Sequence, residues 1–500
     1  MKSRTLTCTT AIALLAVLVP PLGLAAQDSL EHKDNHKHHH YKLIDVGTFG
    51  GPQSWVFGAF EQQATTLNNA GTVVGGADTS NSNPNYPNVN PVLGPALLFG
   101  YADPFVFQAF KWNEGALINL GTLPGGYNSF PSSISANGLV AGTSENGVID
   151  PVGGFPEVHA VLWKDGQIMD LGTLDGKTES VALAVNNRGQ VVGGASDASF
   201  NARAFLWTED QGLQDLGTLG ASGALATQIN DPGQITGVSG LCDTCNQDAF
   251  FWEKGNMQRI PDFGGPISGP NALNNRGQVV GQSDLPGGAN SHAFLWEKGV
   301  LTDLGTLPGG TGSGARWINE AGDTVGVSQN GQIYHAVLWK RRKVVDLGAV
   351  DQCSIAESIN SEGQIIGESD NCDGVPLHAF LWENGGPIVD LNTLIPPGSG
   401  LTLTLAVSIN DRGEIAGQAT TSNGDNHAFL LVPCDEKHGD GEGCEDGRGT
   451  DATQSIPAQV SQNLTTTTTQ PSLPSERMNA IRARLAHRYP YRGFGSYQSK

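Results

Sequence analysis

The sequence predicts an all-β chain folded as an eight-bladed β-propeller of four-stranded repeats, each ~44 residues long. Three observations lead there: a composition built for turns, a phrase that recurs at near-constant spacing, and a strand left over at the front of the repeats that answers one missing at their end. The 500 residues include 67 Gly and 27 Pro, against a usual combined share of ~12%. Charged residues are 15% of the chain, against a usual ~25%, too few to surface many helices. The glycines have no period of three, which excludes collagen, and 38% apolar residues with 9 Trp suffice for a core.

The phrase is Ala-Phe-Leu-Trp and its variants, ending at Trp112, Trp163, Trp207, Trp252, Trp296, Trp339 and Trp382, with Leu431 in the last copy. The spacings are 51, 44, 45, 44, 43, 43 and 49. After each copy but the last comes an Asp-Leu-Gly-like step at Asn119, Asp170, Asp215, Asp262, Asp303, Asp346 and Asp390, and an orphan step stands in front at Asp45. Before each copy sits a hydrophobic-Asn-x-x-Gly-x-hydrophobic element, clear at Asn186, Asn230, Asn274, Asn319, Asn360 and Asn410 and looser at Asn68 and Ser135.

Each unit reads as four short strands, in the fifth roughly 270–274, 278–283, 291–297 and 300–304. Asn274 to Gln278 makes the first turn, since Asn tolerates left-handed geometry and Gly277 supplies a positive φ. Trp296 to Gly299 suits a type I turn closed by a glycine bulge. Gly305 to Gly310 crosses to the next unit. The front strand, Tyr41–Val46, is a fourth strand, and the array stops after a third, His427–Val432. The front strand is therefore expected to complete the last blade, closing the ring and removing exposed sheet edges. An open β-solenoid is the structural alternative, but it needs no such exchange of a strand between the ends.

The phrases His-Ala-Phe-Leu-Trp, Asp-Leu-Gly-Thr-Leu and Ile-Asn-x-x-Gly-x-hydrophobic-x-Gly resemble the bacterial extracellular repeat family named HAF, over residues 41–432. The resemblance implies export from a bacterial cell and a repeat array, and it implies no defined activity. The first unit departs by a long insertion (78–107), the second by lacking the Asn, and the eighth by lacking the Trp.

Outside the array, residues 1–26 read as a secretory signal: Lys2 and Arg4, a mostly apolar run from Ala11 to Leu24, then small residues for cleavage. Residues 27–40 are His-rich; His36, His38, His39 and His40 offer imidazoles to zinc, copper or nickel. Residues 433–474 are an acidic, then Ser/Thr/Pro-rich linker. Its Cys434–Cys444 loop carries Asp435, Glu436, Asp440 and Glu442 without the ligand spacing of an EF-hand. Residues 475–500 hold a short basic amphipathic helix with Met478, Ile481 and Leu485 on one face. No run is long enough to span a membrane as a helix. The net charge of -21 repels nucleic acid and anionic lipid. A secreted, extracellular or cell-surface protein is expected, as a monomer. In that oxidising compartment six cysteines fall into local pairs, Cys242/Cys245, Cys353/Cys372 and Cys434/Cys444, read as disulfide staples.

Catalytic sites are single asymmetric constellations, so residues repeated in every blade are poor candidates. His159, His292, His335, His378 and His427 share one repeat position; they read as polar strand-start residues facing their hairpin partners, as His292 faces Asp303, rather than as a ring of metal ligands. The repeated Trp read as core. No phosphate loop, nucleophile elbow or pair of carboxylates stands out, and no carboxylate or His is evident at the first-strand starts, so no cofactor or catalytic residue is assigned. The non-repeated candidates for ligand binding are Tyr86, Phe99 and Tyr101 of the insertion, with Trp55 and Trp317 on first strands. The expectation is a non-enzymatic scaffold binding an extracellular glycan or protein; the alternative is an exported hydrolase or lyase acting on polysaccharide or peptide with a site in the central channel.

Overall fold

A computed structural model describes residues 40–57, 65–93, 102–151, 153–197, 201–241, 246–434 and Cys444. The expected signal, His36, His38 and His39, Phe99, Tyr101, Cys242, Cys245, most of the linker and the basic helix lie outside the described residues. The architecture is the expected eight-bladed β-propeller: eight antiparallel sheets of four strands each. The fifth blade has strands Ser268–Leu273, Val279–Asp284, Ser291–Glu297 and Val300–Asp303, close to the reading from sequence. The ring closes as expected. Tyr41–Asp45 pairs with Asn426–Pro433 in register Tyr41↔Pro433 to Asp45↔Phe429, and so supplies the outer strand of blade 8.

One unit explains the others. The third strand buries Phe205 in blade 3, and Phe250, Phe294, Phe380 and Phe429 repeat this, each fully buried. The Phe points at the second strand, and the first strand bulges in blades 2 to 8, as between Ala182 and Ala184. The glycine of the second strand sits between them. A Cβ on Gly193 would lie 1.9 Å from Val181 O and 3.0 Å from the Phe205 ring, and one on Gly237 2.0 Å from Leu225 O. That close approach requires glycine at each copy. The repeated Trp then packs across to the preceding blade. Trp163 joins Val74 and Ala109 of blade 1, Trp339 joins Ala272 and Val280 of blade 5, and Trp112 meets Ala416 and Leu430 of blade 8. Leu431 fills the same place against Ile366 and Leu381 of blade 7, which is why blade 8 does without the Trp.

Hydrogen bonds stitch the same seams. The turn asparagine accepts from its own turn, as Asn274 Oδ1 does from Gln278 N at 3.1 Å. Its amide donates to the main chain of the next blade: Asn186 to Asn230 O, Asn230 to Asn274 O, Asn274 to Asn319 O, Asn319 to Asn360 O, Asn360 to Asn410 O, and Asn410 to Asn68 O, at 3.0–3.1 Å. Asn68 continues to Ser135 O at 3.2 Å. Blade 2 has Ser135 where the others have Asn, and Asn137 Nδ2 makes its link instead, to Asn187 O at 3.0 Å. At the other end of the inner strands, buried serines accept from third-strand amides of the preceding blade: Ser180 from Ala160 N, Ser313 from Ala293 N and, across the closure, Ser54 from Ala428 N.

Blade 1 departs twice from the repeat. Besides the insertion before its third strand, Ser54 and Asn68 are 14 positions apart, where Ser268 and Asn274 are 6 apart; residues 58–64 of that second addition are outside the described residues. The disulfides Cys353–Cys372 and Cys434–Cys444 are formed.

Three predictions follow from the seams. A chain lacking residues 27–47 loses the outer strand of blade 8 and the His427–Asp45 pair (2.9 Å), so its melting temperature drops sharply; an unchanged value overturns closure by this strand. The Asp45 hydrogen bond holds the His427 pKa above its usual 6.5. The pair's contribution is therefore complete below about pH 6.5 and lost as pH rises through the higher folded value, and His427→Ala removes that dependence. Separately, Asn274→Ala leaves the buried Asn319 carbonyl with only the Gly322 amide of its own turn and leaves Gln278 N without its acceptor, at a cost of about 1–3 kcal/mol in chemical denaturation.

Candidate functional site

Strand alternation puts the asparagine turns at one end of the ring, and the second-to-third-strand hairpins and blade crossovers at the other. The insertion belongs to the crossover end. The second strand of blade 1, Val73–Ser82, runs into Asn83, whose Oδ1 accepts from Asn85 N at 3.0 Å and whose main-chain O accepts from Tyr86 N at 3.1 Å. Asn85 lies beside Glu145 of blade 2 and favours its charged form. Asn90 Nδ2 donates to Pro156 O and to Glu179 Oε2 of blade 3, both at 2.8 Å. Leu93 is buried in one apolar cluster with Trp55, Phe130, Val181 and Leu225, inner-strand residues of blades 1 to 4. The described part of the insertion is thus built into the fold and spans several blades.

Beneath it lie carboxyl groups that sequence reading missed. Glu145 accepts from Tyr127 N, Asn128 N and Asn128 Nδ2 at 3.0, 3.1 and 2.7 Å, and burial pushes its pKa up. Glu179 begins the inner strand of blade 3, is 1% exposed and leaves Oε1 without a partner. Burial, with the charges of Asp150 and Glu157, pushes it to about 8. Asp78 is pushed to about 8 by burial and then by Asp103, which burial itself raises to about 6. Glu179 corrects the reading that no carboxylate marks a first-strand start. Aligning the repeats exposes it, because Gln53, Asn128, Gly223, Ile267, Gly312 and Cys353 hold that place elsewhere. Asp78 and Glu145 were masked by their own repeat position, where Asp284 and Asp370 also occur.

Of the predicted ligand-binding residues, Tyr86 is 37% exposed and follows the Asn85 that touches Glu145. Tyr127, which sequence reading did not select, is 47% exposed with its amide on the same carboxylate. Phe99 and Tyr101 lie outside the described residues. Trp55 is fully buried, a core position and not a ligand-facing one, because its ring anchors the cluster that takes Leu93. Trp317 is partly buried between the clusters joining blade 6 to its neighbours. His40 is exposed, and its main-chain O accepts from Cys434 N at 2.8 Å.

The repeated histidines face hairpin partners. His159, His292 and His335 meet Asp170, Asp303 and Asp346 through Nδ1 at 2.9–3.0 Å, and Arg203 meets Asp215 in blade 3. His378 departs, pairing with Asp351 at 2.9 Å. Among the described residues, the His/Cys/Asp/Glu group close enough to share a metal is Cys353, Asp370 and Cys372, and its sulfurs are bonded to each other. The asparagine-turn end has a cavity of about 460 Å³ at the closing seam, lined by Trp112, Arg412 and Glu414.

Glu179 gives a pH prediction. An acid whose folded pKa lies above its usual 4.5 contributes stability that is complete below about pH 4.5 and is lost as pH rises toward about 8. Glu179→Gln, which keeps the shape without the charge, should flatten the fall of melting temperature over that window. An unchanged pH profile contradicts the assignment.

No family model and no curated protein matches this chain. Solved structures that resemble it include the β-propeller domain of the Trilobed protease from Pyrococcus furiosus, at 11% identity and TM-score 0.40, over 66% of this chain and 98% of that one. A puromycin-hydrolyzing peptidase of Mycobacterium tuberculosis matches at 11% identity and TM-score 0.39, over 76% of this chain and 61% of that one. AofleA from Arthrobotrys oligospora matches at 9% identity and TM-score 0.29, over 61% of this chain and 89% of that one. These likenesses bear on the fold alone. Among the described residues no helix is long and apolar enough to cross a membrane.

Proposed function

We propose that the protein is an exported, non-enzymatic recognition scaffold that binds an extracellular glycan or protein at the crossover end of blades 1 to 3. The observation that supports this most is the pair of exposed rings, Tyr86 and Tyr127, borne by segments that meet at one buried carboxylate, Glu145. Tyrosines on a rigid frame beside Asn side chains suit polar ligands, because the ring supplies contact area at little entropic cost and the amides supply hydrogen bonds. Neither ring belongs to the repeat, so the site is unique on a near-symmetric body. Export draws support from the disulfides Cys353–Cys372 and Cys434–Cys444, which persist in oxidising compartments.

The hydrolase or lyase reading has one observation in its favour: Glu179 and Asp78 are both pushed to about 8, in the range of general acids. Both are at most 1% exposed, so substrate reaches them only if the insertion moves, and the binding reading is preferred.

The test is a glycan and protein-partner array probed with the intact protein, Tyr86→Ala and Tyr127→Ala. Deleting 81–103 is a poor probe, since it also removes Asn90 and Leu93 from the core. Each substitution is expected to weaken binding about tenfold or more, about 1.4 kcal/mol. Unchanged binding in both variants removes this face from the proposal, and turnover of a glycan or peptide in a substrate panel overturns the non-enzymatic reading.

A further inference from the structure

The root of the insertion holds two buried acids that no cation among the described residues balances. Asp78, within the outgoing strand Val73–Ser82, is 0% exposed, and Asp103, just before the returning strand, is 1% exposed. Each carboxylate has one main-chain donor: Gln53 N on Asp78 Oδ2 at 3.2 Å and Phe105 N on Asp103 Oδ1 at 2.8 Å. The other oxygens, Asp78 Oδ1 and Asp103 Oδ2, are buried without a hydrogen-bond partner. Asp103 is the leading charge acting on Asp78, and among the described residues no cationic side chain acts on either. The frame around them is already closed. Asn83 N donates to Pro104 O at 2.8 Å and Asn83 Nδ2 to Asp103 O at 3.4 Å.

Two buried carboxylates are tolerated only when a proton or a cation neutralises them. We infer that Asp78 and Asp103 together bind a calcium ion at the root of the insertion. The donors on offer are all oxygen, without the imidazole or thiolate that zinc and copper favour. They lie where the strand register breaks after Asp78 and on a loop, an irregular setting that suits the adaptable coordination of calcium better than the strict octahedron of magnesium. One ligand precedes the insertion and the other follows it, so the ion fastens the root of the segment that carries Tyr86. This site is separate from the recognition face, and either proposal stands without the other.

The test uses the whole exported chain, stripped with EDTA and titrated with calcium chloride by calorimetry, with melting temperatures in calcium, magnesium and EDTA at about pH 8, where both carboxyls ionise most readily. Calcium should bind and raise the melting temperature by several degrees, and magnesium by less. Asp78→Asn and Asp103→Asn should each weaken binding at least about tenfold while melting in EDTA no lower than the parent, since each relieves the repulsion. Asp440→Asn, in the acidic loop after the last blade, should bind like the parent. If a variant does not fold, limited proteolysis of the parent decides: calcium should protect the insertion from cleavage. Absence of calcium binding, binding that survives both root substitutions, or cleavage of the insertion unaffected by calcium overturns the inference.

Discussion

The inner turn of a blade places a main-chain carbonyl where the side-chain amide of the preceding blade's turn residue supplies its donor. From Asn186 through Asn230, Asn274, Asn319, Asn360 and Asn410 to Asn68, each amide spends one hydrogen on the next turn. Each turn carbonyl already accepts from its own turn glycine amide, so the bond from the blade behind is its second, and a net hydrogen bond of this kind contributes about 1 kcal/mol. An open row of these repeats would forgo that second bond where its ends fail to meet, and a closed ring makes it there too. The Asn410–Asn68 bond, the Ala428–Ser54 bond and the pairing of Tyr41–Asp45 with the last blade all satisfy this one requirement at the same seam.

The requirement also accounts for the composition. The bulged first strand and the Phe of the third close on the second strand only if it carries glycine, because they occupy the space of a Cβ at Gly193, Gly237 and their counterparts. Trp or Leu then fills the gap to the blade behind. Three packing layers are thereby assigned to Gly, Ser or Ala, and Phe or Trp, which leaves few positions for charge and explains why charged residues are scarce in a chain that remains strongly acidic. Some of that acid lies on hairpin ends, where Asp170, Asp303 and Asp346 each pair with a His and accept from the glycine amide two positions on.

Repetition made the fold legible and hid the site. Eight copies of one phrase fixed blade number, strand order and the exchange of a strand between the ends, because errors in any one copy average out. The strand limits of blade 5 came within two residues for the same reason. What could not be read was anything that depends on a copy's neighbours. Trp55 stands outside the repeated Trp position and looked available for a ligand, yet it is buried by Leu93, which lies 38 positions later in the sequence. Glu179 was visible as a lone acid at a first-strand start, but its meaning depends on Asn90 arriving from two blades away. Asp78 was hidden by sharing a position with Asp284 and Asp370, whose partners differ: Ser291 supplies a hydroxyl to one and Tyr334 to the other, whereas Asp78 has only a main-chain amide.

That difference points to where evolution of function on such a ring is possible. The seams leave little freedom, since a change in one blade disturbs the hydrogen bonds of the next. The crossover end is less constrained, because its hairpins take part in the ring only through their bases. Blade 1 keeps Ser54, Asn68 and Trp112, which bond or pack against its neighbours, and places its extra residues between strands that are already held. The insertion then settles over blades 2 and 3, and those are the blades whose own copies depart from the pattern there: Glu145 and Asn128 in one, Glu179 in the other. Departures in three consecutive blades that touch one another across space form a connected set. A symmetric scaffold with one connected asymmetric arc can present a single ligand-binding face, and this arc bears two exposed tyrosines above a floor of buried carboxyls.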